Sequence, residues 1–101
     1  MIARLWHGRT PLAQADEYER FLAARAMPDY RGTPGNLGAQ VLRRDESGIA
    51  HFLTLSYWDG EASIRAFAGD DLLRAKYYPQ DADFLLEFEP RVTHWTVTSA
   101  G

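Results

Sequence analysis

The sequence predicts an α+β domain, an antiparallel sheet with helices on one face, in the element order βαββαβ. Three observations point there. Ile49–Asp59 is an almost uncharged run of β-branched and aromatic residues that ends in Trp58-Asp59 and feeds directly into an amphipathic segment. The turn-like Asp45-Glu-Ser-Gly48 joins that run to another strand-like one, Leu37–Arg44, as in a hairpin. Strand-like segments also lie near the two ends, at Ile2–Arg9 and Arg91–Thr98.

The first strand has faces Ile2, Arg4, Trp6 and Ala3, Leu5, His7, and Gly8 loosens its end. Thr10-Pro11 is a helix-start signal, a capping hydroxyl followed by a proline whose missing N–H costs nothing in a first turn. Asp16 and Glu17 suit the positive end of that helix. Ala15, Tyr18, Leu22 and Arg25, with Phe21 beside them, form its stripe, which runs out before Pro28. Asp29–Asn36 reads as a turn-rich connection. The central strand has His51, Leu53, Leu55 and Tyr57 on one face and Phe52, Thr54, Ser56 and Trp58 on the other. Asp59 is then a helix cap, with Ile64 and Phe67 on one helical face. Gly69 breaks this helix. Asp70 starts a further short one through Leu72, Leu73 and Ala75, which Tyr77-Tyr78-Pro79 ends. Gln80–Pro90 is loop or short helix. The order is the split βαβ, ferredoxin-like arrangement.

The length of 101 residues fits a single domain spanning residues 1–101. With 46% hydrophobic and 13% aromatic residues, the chain can fill a core and still supply a second burial surface. Both faces of the central strand are rich in apolar groups, whereas a half-solvated strand alternates apolar with polar. Helices cover one face, so a homodimer through the other face of the sheet is expected. A net charge of -3 with scattered basic residues argues against a nucleic-acid partner. No cysteine means no disulfide, thiolate nucleophile or Cys-based metal site. Met1–His7 lacks a long apolar run, so no signal peptide, no membrane span and a cytoplasmic location are the expectations.

The strand Tyr57-Trp58-Asp59 before Glu61-Ala-Ser-Ile-Arg-Ala-Phe67, with Tyr77-Tyr78-Pro79 after it, resembles the antibiotic biosynthesis monooxygenase superfamily of dimeric α+β barrel proteins. The resemblance extends over nearly the whole chain and rests on diffuse motifs. It implies cofactor-independent oxygenation of an aromatic or polyketide-like small molecule. Haem binding is the alternative, and a non-catalytic ligand-binding dimer the third reading. The haem-degrading branch has an Asn on the first strand, a Trp in the second helix and an axial His. The nearest residues here are His7, Phe67 and Tyr77, and all three depart from that pattern.

Cofactorless oxygenation needs an apolar pocket, a base, and donors for an enolate oxygen. His7 is the candidate base. The resemblance implies one pocket per subunit, lined by His7, Trp58, Phe67, Tyr77 and Phe84. Tyr77 takes the place of the family's helix-end residue and is the candidate donor; Tyr77 and Tyr78 should point in different directions. Tyr30 and Asn36, flanking the turn-rich connection, would form a lid. In this topology His7, His51 and His94 come toward one end of the sheet. No carboxylate or Cys stands beside them at ligand-like spacing, so no metal and no cofactor are expected. Asp81, Asp83, Glu87 and Glu89 read as a solvated acidic patch, and Arg43-Arg44 as charges that protect a strand edge.

Overall fold

The computed structural model describes residues Met1–Gly101. Four strands form one antiparallel sheet: β1 (Ile2–Pro11), β2 (Asn36–Glu46), β3 (Ile49–Trp58) and β4 (Thr93–Thr96), in the spatial order β2-β3-β1-β4. This is the predicted ferredoxin-like order. β4 pairs with β1 only from Ile2 to Leu5. Beyond Leu5 the tail takes over that edge, and the Leu86 N–H donates to the Arg9 carbonyl.

The first helical segment is longer than predicted. A 3-10 turn (Leu12–Gln14) leads into α1 (Ala15–Phe21), a π turn (Leu22–Ala26) and α2 (Met27–Gly32). Thr10-Pro11, expected to start this helix, instead completes β1. Pro28 does not end the segment. It has no N–H, and its ring would crowd the Ala24 carbonyl of a regular helix. The wider π turn immediately before it carries the chain past that conflict. Tyr30 therefore lies in α2 and is buried. The turn-rich connection shrinks to the few residues before Asn36, the first residue of β2. The expected lid of Tyr30 and Asn36 does not exist.

The second long helix is α3 (Glu61–Ala68), which buries Ile64 and Phe67. Its N-cap is Gly60, not Asp59; the Asp59 carboxylate instead accepts from the Ser63 hydroxyl. The expected helix through Leu72–Ala75 does not form. That segment is held as turn and coil by tertiary hydrogen bonds, including Val92 N–H to the Leu73 carbonyl and Ala75 N–H to the Pro90 carbonyl. A second 3-10 turn follows at Pro79–Asp83. No helix is long and apolar enough to cross a membrane.

The period-two pattern of β3 survives intact. Ala50, Phe52, Thr54, Ser56 and Trp58 are buried under the helices. His51, Leu53, Leu55 and Tyr57 occupy the open face and are half-buried in the single chain. The core is strongly aromatic: Tyr30 stacks on Phe67 at 4.5 Å, Phe67 meets Trp58 at 5.3 Å, and Tyr18 contacts Phe52 and Phe84. The buried Trp58 indole N–H is satisfied by Ser56 Oγ at 2.9 Å.

Gly35 fixes the approach of β2 to α3. Its φ is +90°, and a Cβ there would overlap the Ser63 side chain and Asp59 Oδ1. Its carbonyl accepts from Asp59 N–H at 3.0 Å. Gly35→Ala therefore combines a left-handed backbone with a collision against a helix start. A loss of more than about 1 kcal/mol is expected, read as a lower urea midpoint with an unchanged slope.

Candidate functional site

The space between helices and sheet, where a pocket was expected, is closed. Trp6, Tyr18, Leu22, Ala26, Tyr30 and Thr54 leave about 20 Å³ there. That volume suits a single water and no organic ring. Trp58, Phe67 and Phe84 are packing residues around this filled layer. Hydrogen bonds close its rim. Tyr18 donates to Asp81 Oδ1 at 2.8 Å, and both Tyr78 (2.5 Å) and Lys76 (2.8 Å) donate to Asp29 Oδ2. Burial pushes Asp81 above the usual carboxylate range, against the hydrogen bonds from the Tyr78 N–H and Tyr18. Burial would raise Asp29 too, but the donors Lys76 and Tyr78 overcome it and hold that carboxyl low.

His7 stands elsewhere. It lies on the open face of β1, across the sheet from Trp58 and Phe67. The predicted lining of one pocket by His7, Trp58, Phe67, Tyr77 and Phe84 is thus overturned: alternate residues of a strand project to opposite faces. What His7 does meet is informative. Its Nδ1 is 2.5 Å from Glu89 Oε2, and its Nε2 is 3.2 Å from His51 Nδ1. A carboxylate only accepts, so Nδ1 carries the proton and the Nε2 lone pair accepts from His51 Nδ1. The two imidazoles stack at 5.5 Å, as diagonal neighbours on adjacent strands do.

The expected solvated patch fails at Asp81, whereas Glu87 and Glu89 stay partly exposed but are engaged in pairs. Asp81 is buried, Glu87 accepts from Arg9 Nε at 2.6 Å, and Glu89 holds His7. Asp83 alone is exposed. A signal for the pairing existed in the sequence. His7-Gly-Arg9 and Glu87-Phe-Glu89 share a spacing of two with opposite charge, the pattern of neighbouring extended segments. Glu89 also links the two predicted catalytic residues, because the Tyr77 hydroxyl donates to its carbonyl at 2.5 Å. Burial, then Glu89, push Tyr77 up to about 12, so it is a neutral donor. Tyr77 and Tyr78 do point in different directions, to the Glu89 carbonyl and to Asp29, but both are half-buried and neither faces outward.

Two surface concavities remain near these groups. A groove of about 310 Å³ on the open face is lined by His7, Leu42, Arg43, Arg44, His51 and Leu53. On the helix side, a cleft of about 520 Å³ runs between Phe67, Ala68, Arg74, Lys76, Tyr77 and Phe88. Arg43 does not merely guard an edge: its guanidinium ties β2 to α1 through Asp16 and Glu19, and binds Asp45. His94 does not join the other histidines. It faces the helix side opposite Arg4, whose Nη1 donates to its Nε2 at 2.9 Å. No group of three or more His, Cys, Asp or Glu side chains is arranged to hold a metal ion.

This geometry can be set beside known proteins. The haem-degrader MhuD of Mycobacterium tuberculosis, with two haems bound in its active site, superposes with a TM-score of 0.67 at 17% identity over 100% of this chain and 99% of that one. An arginine-to-serine variant of MhuD with two manganese protoporphyrin IX per active site gives 0.60 at 17% identity, covering 100% and 98%. The chain shares the ferredoxin-like α+β fold of these neighbours. No protein-family model and no curated protein matches the sequence.

His94 generates a pH dependence. Burial, then the Arg4 cation, hold its pKa below the usual 6.5. The unfolded chain binds the proton more tightly, so unfolding takes one up. The His94 contribution to stability is therefore complete above about pH 6.5 and is lost as pH falls through that value toward the folded-state pKa. His94→Gln should flatten this part of the stability profile, measured by urea unfolding between pH 5 and 8 on both proteins.

Proposed function

We propose that the protein is an antibiotic-biosynthesis-monooxygenase-like oxygenase that works without a cofactor on a small aromatic or polyketide-like compound. The observation that carries this reading is the Glu89–His7 pair opening onto the sheet-face groove. It supplies what the chemistry requires. The Nε2 lone pair of His7 is a base once a substrate C–H takes the place of its His51 partner, and the Glu89 carboxylate orients the ring and stabilises the imidazolium formed on proton uptake. Leu42 and Leu53 are apolar walls, and Arg44 is a cation for a developing enolate oxygen. In this scheme His7 takes a proton from an activated ring carbon, and the carbanion donates electrons to dissolved O2 with formation of a C–O bond. The resulting peroxide takes a proton and loses water to leave a carbonyl. Tyr77 acts at one remove, by fixing the Glu89 main chain.

The haem reading is weighed against the residues present. The helix–sheet layer is filled, so a porphyrin would have to lie in the outer cleft or against the open face. In the outer cleft the one iron ligand type is Tyr77, whose hydroxyl is committed to the Glu89 carbonyl and whose raised pKa opposes the tyrosinate that iron takes. Tyr77 is therefore a poor iron ligand, which leaves His7 on the open face as the residue through which the haem alternative would act.

The open face supports a homodimer. It divides along the strands. His7, Arg9, Arg44 and His51 crowd one end. At the other, Met1, Ala3, Leu37, Leu55, Tyr57 and Val97 surround a shallow apolar depression, with Trp95 61% exposed beside it. A two-fold partner laid over the apolar end removes that surface from water and leaves the histidine groove at the rim.

Two outcomes are expected. Oxygen uptake by metal-free protein with an anthrone or hydroquinone substrate should exceed that of denatured protein. His7→Gln should lower turnover about 10²–10⁴-fold, with Glu89→Gln also lowering it, and hemin titration should leave the Soret band of free hemin neither shifted nor sharpened. Activity that survives His7→Gln would remove the base assignment. Light scattering at micromolar concentration should give a dimer that Leu55→Glu converts to monomer; a monomeric wild-type chain would defeat the interface.

A further inference from the structure

We propose that His7 Nε2 and His51 Nδ1 form a two-histidine binding site for a late first-row divalent cation, Cu²⁺ or Zn²⁺, on the open face of the sheet. The argument is geometric. The two nitrogens face each other 3.2 Å apart. Two metal–imidazole bonds of about 2.0–2.1 Å, meeting at an angle between square-planar and tetrahedral, place their nitrogens about 2.9–3.4 Å apart. The pair already has the separation that a shared ion requires, and the strand pairing that sets it is rigid: His7 lies opposite Leu53, and His51 opposite Arg9 and Arg44.

The surroundings support the site. Glu89 accepts the Nδ1–H of His7 and so completes a carboxylate–histidine arrangement that fixes the ligating tautomer. His51 reaches its ligating form by carrying its proton on Nε2 instead of Nδ1. Local charge is also favourable. Arg9 is paired with Glu87 and Arg44 with Glu46, while Glu89 has no cationic partner other than His7. The groove leaves one side of the nitrogen pair open, where water can complete the coordination shell. Imidazole pairs suit copper and zinc better than magnesium or calcium, which take oxygen ligands. An ion here occupies the lone pair that the base needs, so metal binding and proton abstraction at His7 exclude one another. Binding itself does not depend on the oxygenase reading and is measured without any substrate.

The test is calorimetric titration of the metal-free full chain with Cu²⁺, with electron paramagnetic resonance of the product. One Cu²⁺ per chain with nitrogen hyperfine structure is expected. His7→Gln and His51→Gln should each weaken binding at least tenfold, and Glu89→Gln by about 10–100-fold. Nitrogen-detected spectra of the wild type give a second reading that needs no variant: Zn²⁺ should move the imidazole resonances of His7 and His51 and leave those of His94 in place. Undiminished binding in His51→Gln, zinc shifts at His94 alone, or no saturation below roughly 1 mM would overturn the site.

Discussion

Arg4 is the residue on which the helix side of the molecule depends. It sits in the middle of the sheet and is 2% exposed, yet no carboxylate meets it. Its guanidinium donates to the Leu72 carbonyl at 2.6 Å, the Arg74 carbonyl at 2.8 Å and His94 Nε2. Those carbonyls belong to a segment with no helix to satisfy them, and unpaired buried carbonyls are costly. The arginine replaces a helical ladder with a fork of donors in fixed geometry. In doing so it sets the course of the chain that lines the outer cleft and carries Lys76, Tyr77 and Tyr78 to their acceptors. A cation buried against backbone dipoles and a neutral imidazole keeps its desolvation cost largely uncompensated by charge, which is why burial lowers its pKa.

The other organising constraint is the two-sidedness of β1 and β3. Each strand carries one residue set for the core and another for the open face. On β1 the core set is Arg4, Trp6, Gly8 and Thr10, and a Cβ on Gly8 would collide with the Trp6 ring. The open set runs from Ala3 and Leu5 to His7 and Arg9, and its change from apolar to polar along the strand divides that surface into two unlike ends. Tail residues Glu87 and Glu89 reinforce the polar end because β4 stops pairing with β1 at Leu5.

Much of this architecture was legible in the sequence because hydrophobic periodicity reports strands directly. The four strands, the hairpin at Asp45–Gly48 and the helix bearing Ile64 and Phe67 stand where the pattern puts them. Local rules failed where tertiary contacts outweighed them. Pro28 reads as a stop, but a π turn absorbs it. Asp70 reads as a cap, but Arg4 claims the carbonyls of the segment that would follow. The site was half legible. His7 and Tyr77 are linked through Glu89, a residue that composition alone assigns to solvent. The lining by Trp58 and Phe84 required His7 to turn inward, and a strand offers each residue only one of two faces.

Fold and site part company in the layer between helices and sheet. The porphyrin-binding neighbours share the backbone arrangement at 17% identity. Side chains decide what such a scaffold can hold. Here Trp6, Tyr18, Tyr30 and Phe67 occupy the interior, and the Asp29–Lys76–Tyr78 hydrogen bonds bind the helical segment to the coil above it. Opening that layer would expose large aromatic surfaces and unpair Asp29, so a ligand would have to supply the energy of both. The sheet-face groove asks for no such rearrangement: its histidines are half-buried, already aligned, and backed by a carboxylate. A ligand in the groove would therefore cost the fold far less than one in the filled interior.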